Sequence, residues 1–319
     1  MADRGRVAVL ISGRGSNMAA LIYAARANDC PYEVALVSGD RPDAPGLALA
    51  KAEGVEVTPL DARALGKGYW DELQSALDSA KVDLVALAGF MRIIPDAFVD
   101  RWQGRMINIH PSLLPRHKGL GSHAAVLAAG EDSTGATVHL VTSDLDSGET
   151  LGQVEVAVLD GDTPETLAER VLIAEHQLYP RVLAEYAARP FDAGWIEAQV
   201  DRLARQLPEI GRKTSHGSPG WTVGGEKGKL FAILADRHHG EDAVGLLVKA
   251  SGPDEMTGLI EAQPELYYWP KYYGASGWLA LKLNRRDIDW DQVADWLERS
   301  WNACARPRLT KLRRIADEF

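Results

Sequence analysis

Asn108 and His110 stand two residues apart in Met106-Ile107-Asn108-Ile109-His110-Pro111, a run with the alternation of a strand. A strand sends every second side chain to the same face. An amide donor and a titratable imidazole therefore sit side by side, while Ile107 and Ile109 are free to pack the other way. Pro111 ends the pattern because it cannot donate to a central ladder, and Leu113-Leu114-Pro115 restricts the turn behind it. The pair lies where a strand meets a loop, the usual place for catalytic groups in open α/β sheets. A lone histidine near a strand end is as often a satisfied structural one, so its neighbours decide.

A second candidate is Ser12-Gly13-Arg14-Gly15-Ser16-Asn17, which follows the apolar run of residues 7–11 and precedes a helical pattern over residues 18–26. Two glycines let the backbone approach a ligand, and the free N–H groups opening a helix favour an anion, phosphate above all. The third glycine of a dinucleotide fingerprint and the Gly-Lys-Ser/Thr of a P-loop are both missing. The loop fits a small phosphorylated substrate better than NAD or ATP; a tight strand-helix turn is its structural alternative.

The elements that must position these groups alternate. Strand patterns at residues 34–37, 55–60 and 84–88 are separated by helical patterns at 47–53 and 69–80. Such alternation predicts an α/β fold with a doubly wound, mostly parallel sheet. Gly89-Phe90-Met91-Arg92-Ile93-Ile94-Pro95 comes next, its apolar residues able to line a slot for a flat ring but, taken alone, better read as core. Ser122 opens a short helix that Gly130 stops, residues 135–141 and 152–158 read as strands, and an acidic turn, Thr142-Ser143-Asp144-Leu145-Asp146-Ser147-Gly148, lies between them. Thr163-Pro164 reads as a cap and first-turn proline of a long helix to about Tyr186, interrupted by Pro180.

Near Arg189-Pro190 the composition changes: seven of the nine tryptophans lie from Trp195 onward. Ile196, Val200, Leu203 and Leu207 form one apolar helix face. Gly- and Pro-rich turns then precede strands at 230–234 and 244–248, a helix at 253–262, a strand at 277–283 and a helix at 289–303 capped by Asp289. This predicts a second, smaller α+β domain over residues 190–319, after a first over 1–189. Its aromatic run, residues 267–273, could stack on rings, though a packed edge is the commoner cause of such a run.

The order and spacing of Ile11-Ser12-Gly13-Arg14-Gly15-Ser16-Asn17, Leu87-Ala88-Gly89-Phe90-Met91-Arg92-Ile93, Asn108-Ile109-His110-Pro111-Ser112-Leu113-Leu114-Pro115, Asp144-Leu145-Asp146 and Glu175-His176-Gln177-Leu178-Tyr179-Pro180 resemble glycinamide ribonucleotide formyltransferases over residues 6–188. The resemblance implies the formyltransferase fold and transfer of a formyl group from 10-formyltetrahydrofolate, as co-substrate, to the amine of glycinamide ribonucleotide in purine biosynthesis, without a metal. It assigns Asn108, His110 and Asp146 to catalysis. Gly15, Ser16 and Asn17 match the phosphate loop, Lys67 stands near a phosphate-binding arginine of the family, and Glu175 matches the contact to the glycinamide. The folate would lie against Met91, Arg92, Ile93, Asn108, Val141 and Asp144. Formyl transfer to an amine builds a tetrahedral oxyanion, for which Asn108 and a protonated His110 supply donors. Asp146 would orient the imidazole, raise its pKa by opposite charge and relay the amine proton. Leu114–Pro115 is expected to be cis. The family often has histidine where Gly121 stands, and a Gly-Gly-Pro where this chain has Ser147-Gly148-Glu149.

Residues from about 195 to 312 resemble the MmcQ/YjbR-like family in His216-Gly217-Ser218-Pro219-Gly220-Trp221 and Pro270-Lys271-Tyr272-Tyr273-Gly274. A structural or interaction module is the expectation there. The net charge of -10, concentrated in residues 1–190 (17 Lys+Arg against 26 Asp+Glu), argues against nucleic acid and acidic membranes as partners. The rest is balanced, 18 against 19, with a basic tail of Arg306, Arg308, Lys311, Arg313 and Arg314. Cys30 and Cys304 are too few and too far apart for a disulfide framework or a zinc site, and fit a reducing cytoplasm. The opening residues run straight into a short strand, too short for a signal or a span. A homodimer stays open. The competing reading is a folate or nucleotide sensor on the same scaffold, or a related formyl-transfer or formyltetrahydrofolate hydrolase activity; Asn108, His110, Asp146 and Glu175 together favour the transferase.

Overall fold

The computed structural model describes residues 4–237 and 242–310, and the chain divides into two compact units, Met1–Ala188 and Arg189–Phe319. Lys311, Arg313 and Arg314 of the basic tail lie outside the described residues.

The first unit runs β1 (Gly5–Ile11), α1 (Ser16–Ala24), β2 (Tyr32–Gly39), α2 (Pro45–Ala52), β3 (Val57–Pro59), α3 (Ala62–Leu65), α4 (Tyr69–Ser79), β4 (Leu84–Leu87), α5 (Asp96–Arg101), β5 (Met106–His110), α6 (Ser122–Ala129), β6 (Ser133–Leu140), β7 (Thr150–Ala157) and α7 (Pro164–Ala188). Its seven strands lie in the order β3, β2, β1, β4, β5, β6, β7. The first five are parallel; β5 to β6 and β6 to β7 are antiparallel. Both faces are covered, as parallel strands require. Val7, Val9 and Ile11 pack with α1, α2, α6 and α7, and Ala8 and Leu10 pack with α4 and α5. Strand order reverses between β1 and β4, so the loops leaving their carboxyl ends diverge and open a crevice.

Three sequence expectations change here. α1 starts at Ser16 rather than Met18, because Gly15 in a left-handed conformation (φ 71) is its N-cap. α7 is not interrupted: its 25 residues run through Pro180. The proline costs about 3 kcal/mol in a helix interior, but the buried Leu167, Val171, Leu178, Tyr179, Val182 and Leu183 hold the helix on the sheet. Met91 and Ile93 are not core; they are 70% and 93% exposed, since Gly89 (φ 74) turns the chain off the end of β4.

The second unit comprises α8 (Ala193–Ala204), β8 (Ile210–Ser215), β9 (Ser218–Val223), β10 (Lys229–Asp236), β11 (Val244–Lys249), α9 (Pro253–Ala262), β12 (Tyr267–Tyr268), β13 (Trp278–Lys282) and α10 (Trp290–Cys304). Its antiparallel sheet has the order β12, β13, β11, β10, β9, β8. Phe231, Leu234, Val244, Leu246, Leu279 and Leu281 face Ile196, Val200, Trp296 and Trp301 of α8 and α10. β8 and β9 occupy a stretch whose glycines and proline read as turns. The glycines are there for close approach: a Cβ on Gly211 would lie 2.3 Å from the Gly225 carbonyl carbon, and one on Gly220 2.6 Å from Leu230 Cδ2. His216 and Gly217 (φ 52 and 85) make the tight hairpin turn, whose two positive φ values match strand twist. The first two residues of the aromatic run form the edge strand β12, with Trp296 Nε1 donating to the Tyr267 hydroxyl at 3.0 Å.

Candidate active site

β5 delivers Asn108 and His110 to one face, while Ile107 and Ile109 join the core on the other. In the antiparallel register Asn108 lies directly opposite His139 of β6, and the Asn108 Nδ2 to His139 Nε2 distance is 3.2 Å. His139 Nδ1 is 2.8 Å from the Leu140 carbonyl. A carbonyl only accepts, so Nδ1 carries the proton and Nε2 accepts from Asn108. Burial lowers the pKa of His139, which keeps the ring neutral and the amide turned toward it. One Asn108 N–H remains for a ligand.

His110 is 6% exposed. Its Nε2 is 2.9 Å from the His117 carbonyl, so that nitrogen carries a proton as well. Nδ1 is then the other ring nitrogen, and it faces Asp146 Oδ2 at 3.4 Å. Asp146, in a left-handed turn (φ 47), also accepts from the Gly119 N–H at 2.9 Å and lies 3.6 Å from His139 Nε2. Its turn folds back on β6 because residue 148 is glycine: a Cβ there would lie 1.9 Å from the Leu140 carbonyl oxygen. Thr137 and Gln153 brace the residues after His110. Thr137 Oγ1 donates to the Ser112 carbonyl at 2.6 Å, and Gln153 Nε2 donates to the Leu114 carbonyl at 2.9 Å. Leu114–Pro115 is cis.

A second group forms at the crevice. A cavity of about 260 Å³ is lined by residues 12–17, Ala88, Gly89 and Met91. Gly46, at the start of α2, donates its N–H to the Gly13 carbonyl at 3.1 Å, and a Cβ on it would lie 3.2 Å from the Arg14 carbonyl. Both carbonyls thus turn toward Gly46. A trans peptide points its N–H away from its carbonyl, so the Arg14 and Gly15 N–H groups point the opposite way, forming with the uncapped start of α1 a nest of backbone donors whose chemistry suits an anion.

Asn17 Nδ2 donates to Glu175 Oε2 at 2.6 Å, and Asn17 Oδ1 has no hydrogen-bond partner among the described residues. Burial raises the pKa of Glu175, against the opposing hydrogen bond from Asn17. One turn along α7, the Tyr179 hydroxyl reaches the Leu87 and Ile107 carbonyls at 3.1 and 3.0 Å, locking Glu175 over the ends of β4 and β5. Acceptors left over on Asn17 and Glu175 suit a ligand rich in N–H groups.

Of the other residues named from the sequence, Ser16 opens α1 and lines the cavity. Met91 N–H donates to Ser12 Oγ at 2.8 Å, tying the β4 loop to the glycine loop. The Arg92 guanidinium lies 5.1 Å from the Tyr69 ring centroid, and Ile93 is exposed. The Val141 N–H bonds the Met106 carbonyl at 2.9 Å, and Asp144 is exposed in its turn. Lys67 sits in a short 3-10 turn, Gly66–Gly68, with no hydrogen bond to the glycine loop among the described residues. His139 and Gly46 were missed from the sequence, since only a known register or a tertiary approach identifies them.

The formyl transferase sequence family matches residues 5–183. The chain belongs to the formyl transferase family. The YjbR family matches residues 205–303. A phosphoribosylglycinamide formyltransferase of Escherichia coli is 39% identical over 199 residues, covering 60% of this chain and 94% of that protein. The trifunctional purine biosynthetic protein adenosine-3 of Bos taurus is 42% identical over 182 residues, and the chain spans only 18% of its length. Among solved structures, phosphoribosylglycinamide formyltransferase from Brucella melitensis shares 48% identity at a TM-score of 0.56, covering 58% of this chain and 96% of that one. A formyltetrahydrofolate deformylase from Pseudomonas syringae, 23% identical at a TM-score of 0.54, shares the fold. No helix among the described residues is long and apolar enough to cross a membrane, and none of their His, Cys, Asp and Glu side chains form a group of three able to hold a metal ion.

Proposed function

We propose that the first unit is a phosphoribosylglycinamide formyltransferase, moving a formyl group from 10-formyltetrahydrofolate to the amine of glycinamide ribonucleotide in cytoplasmic purine biosynthesis. One observation carries the reading: the Asp146 carboxylate, its side chain 7% exposed, lies 3.4 Å from His110 Nδ1 and 3.6 Å from His139 Nε2, the ring to which Asn108 is bonded. In this account the phosphate rests on the nest of residues 13–17, and Asn17 and Glu175 accept from the glycinamide end. Attack by the amine gives a tetrahedral carbon whose oxyanion takes the spare Asn108 N–H and the His110 Nδ1–H. Asp146 balances the imidazolium and relays the amine proton, by way of water where the distance requires it, to the folate N10 as the adduct collapses and the bond from N10 to the formyl carbon breaks, leaving formylated ribonucleotide and tetrahydrofolate. The folate lies along Met91, Arg92, Ile93, Val141 and Asp144. Lys67 supplies a positive charge to the phosphate.

The test is purified protein with both substrates, followed by folate absorbance and by mass of the ribonucleotide product. Formylated ribonucleotide formed in step with tetrahydrofolate supports the reading. Formate and tetrahydrofolate without it would mean a hydrolase; no turnover at all would favour a sensor.

A further inference from the structure

Residues 116–119 hold both members of the His110–Asp146 pair: the His117 carbonyl takes the His110 Nε2 proton, and the Gly119 N–H donates to Asp146. His117 does so from a left-handed conformation (φ 52) that a residue with a Cβ avoids, so something outside the turn must hold it there. Ser112 Oγ donates to the Arg116 carbonyl at 2.7 Å on the backbone side, and Glu131 grips the side chains of the turn. Its Oε1 lies 2.7 Å from His117 Nε2, and its Oε2 accepts from Arg116 Nη1 at 2.8 Å. Glu131 is itself aimed by the end of α6, where Gly130 in a left-handed conformation (φ 65) closes the helix and the Glu131 N–H returns to the Val126 carbonyl. The other end of α6 is at the site as well: Ser122 Oγ is 3.4 Å from His110 Nε2. α6 thus spans from the imidazole to the carboxylate that grips the turn.

We propose that Glu131 is a positioning residue for the His110–Asp146 pair, holding His117 so that its carbonyl fixes the His110 ring with Nδ1 toward Asp146. The proposal rests on the transferase reading for its kinetic arm only. Glu131 touches no substrate in this account; it acts through the backbone of His117.

The experiment compares full-length wild type with Glu131→Ala and the isosteric Glu131→Gln. Glu131→Ala should lower kcat roughly tenfold while leaving both KM values within about twofold, because the loss is one of geometry at the reacting groups rather than of binding. Glu131→Gln, which keeps an acceptor, should fall between, and serves if the alanine variant does not fold. In a His117→Gly background the left-handed turn is free of strain, so Glu131→Ala should lose most of its effect. An ¹⁵N spectrum of the imidazoles gives a readout independent of turnover: the His110 Nε2 proton signal should move in Glu131→Ala. Unchanged kcat with an unmoved His110 signal would overturn the proposal, as would an equal loss in the glycine background. If wild type transfers no formyl group the functional reading fails, and the His110 spectrum still decides on the tether.

Discussion

In the first unit Asp40, His110, His139 and Glu175 are buried titratable side chains, whereas the buried polar side chains among the described residues of the second are Ser218, Thr222 and Ser300. The difference follows from how each sheet is built. Parallel strands end in loops on one side, and reversal of strand order between β1 and β4 leaves a crevice there, where the sheet's own carbonyls and N–H groups can support polar side chains. The antiparallel sheet turns back at each end, and its helices seal one face with tryptophan and leucine. Its buried hydroxyls serve the backbone: Thr222 donates to the Gly225 carbonyl at 2.7 Å, and Ser300 to that of Phe231. Buried ionisable groups are costly unless paired, and the first unit keeps Asp40, His110, His139 and Glu175 among its buried residues. Buried charge thus gathers in the first unit, whereas the second buries apolar side chains and backbone-bound hydroxyls.

The sharpest way to break that contrast is at Asp146. Asp146→Asn removes the charge facing His110 Nδ1 but keeps shape and an acceptor for Gly119. We expect kcat to fall by about 10²–10⁴-fold, the range of a lost proton-transfer group, with both KM values little changed. Full activity in this variant would sink the mechanism.

A smaller effect is expected at the nest. Gly15→Val places a β-branched residue at φ 71, with its Cβ 3.1 Å from Met18 Cε and 3.2 Å from Gly46 Cα. The KM for the phosphorylated substrate should rise by roughly tenfold or more while that for the folate holds, since only the former needs the nest. Equal rises in both would make the loop merely structural.

The third prediction concerns pH. Burial depresses the His139 pKa, so between that lowered value and the ordinary 6.5 or so the unfolded chain binds a proton that the folded chain refuses. Stability conferred by neutral His139 is therefore present above that window and is lost as pH falls through it. Glu175, with a raised pKa, works in the opposite sense, its contribution falling as pH rises above about 4.5. His139→Gln keeps an acceptor for Asn108 and removes the titration. Its urea midpoint should drop less than that of wild type between pH 7.5 and 5.5; an identical drop would show that His139 carries none of the acid sensitivity.

Much of the first unit was legible because alternation, turn glycines and apolar runs are local signals. Asn108 and His110 share a face by strand period alone. His139 was not legible, because the pairing of Asn108 with it depends on β6 running antiparallel to β5, where the alternation predicted a mostly parallel sheet. Gly46 acts on Gly13, and Glu131 on His117, across modest stretches of sequence, yet no periodicity marks them: each is placed by one helix end. In the second unit β8 and β9 were hidden by glycines that serve close backbone approach, a use that composition cannot separate from turn formation. Pro180 misled for the opposite reason, since burial along α7 outweighs a local penalty.

The smallest effect expected is also the most direct test. A chain cut after Arg189 retains every residue assigned to the reaction and the whole of the first core. Its kcat and KM values, measured beside those of the full chain and of the same truncation carrying Asp146→Asn, bear on the claim that formyl transfer belongs to the first unit. The account predicts turnover within about twofold of the full chain, lowered by the substitution as far as it is in the full chain. Loss of activity on truncation alone, with the fragment folded, would show that the second unit completes the site and would contradict the account.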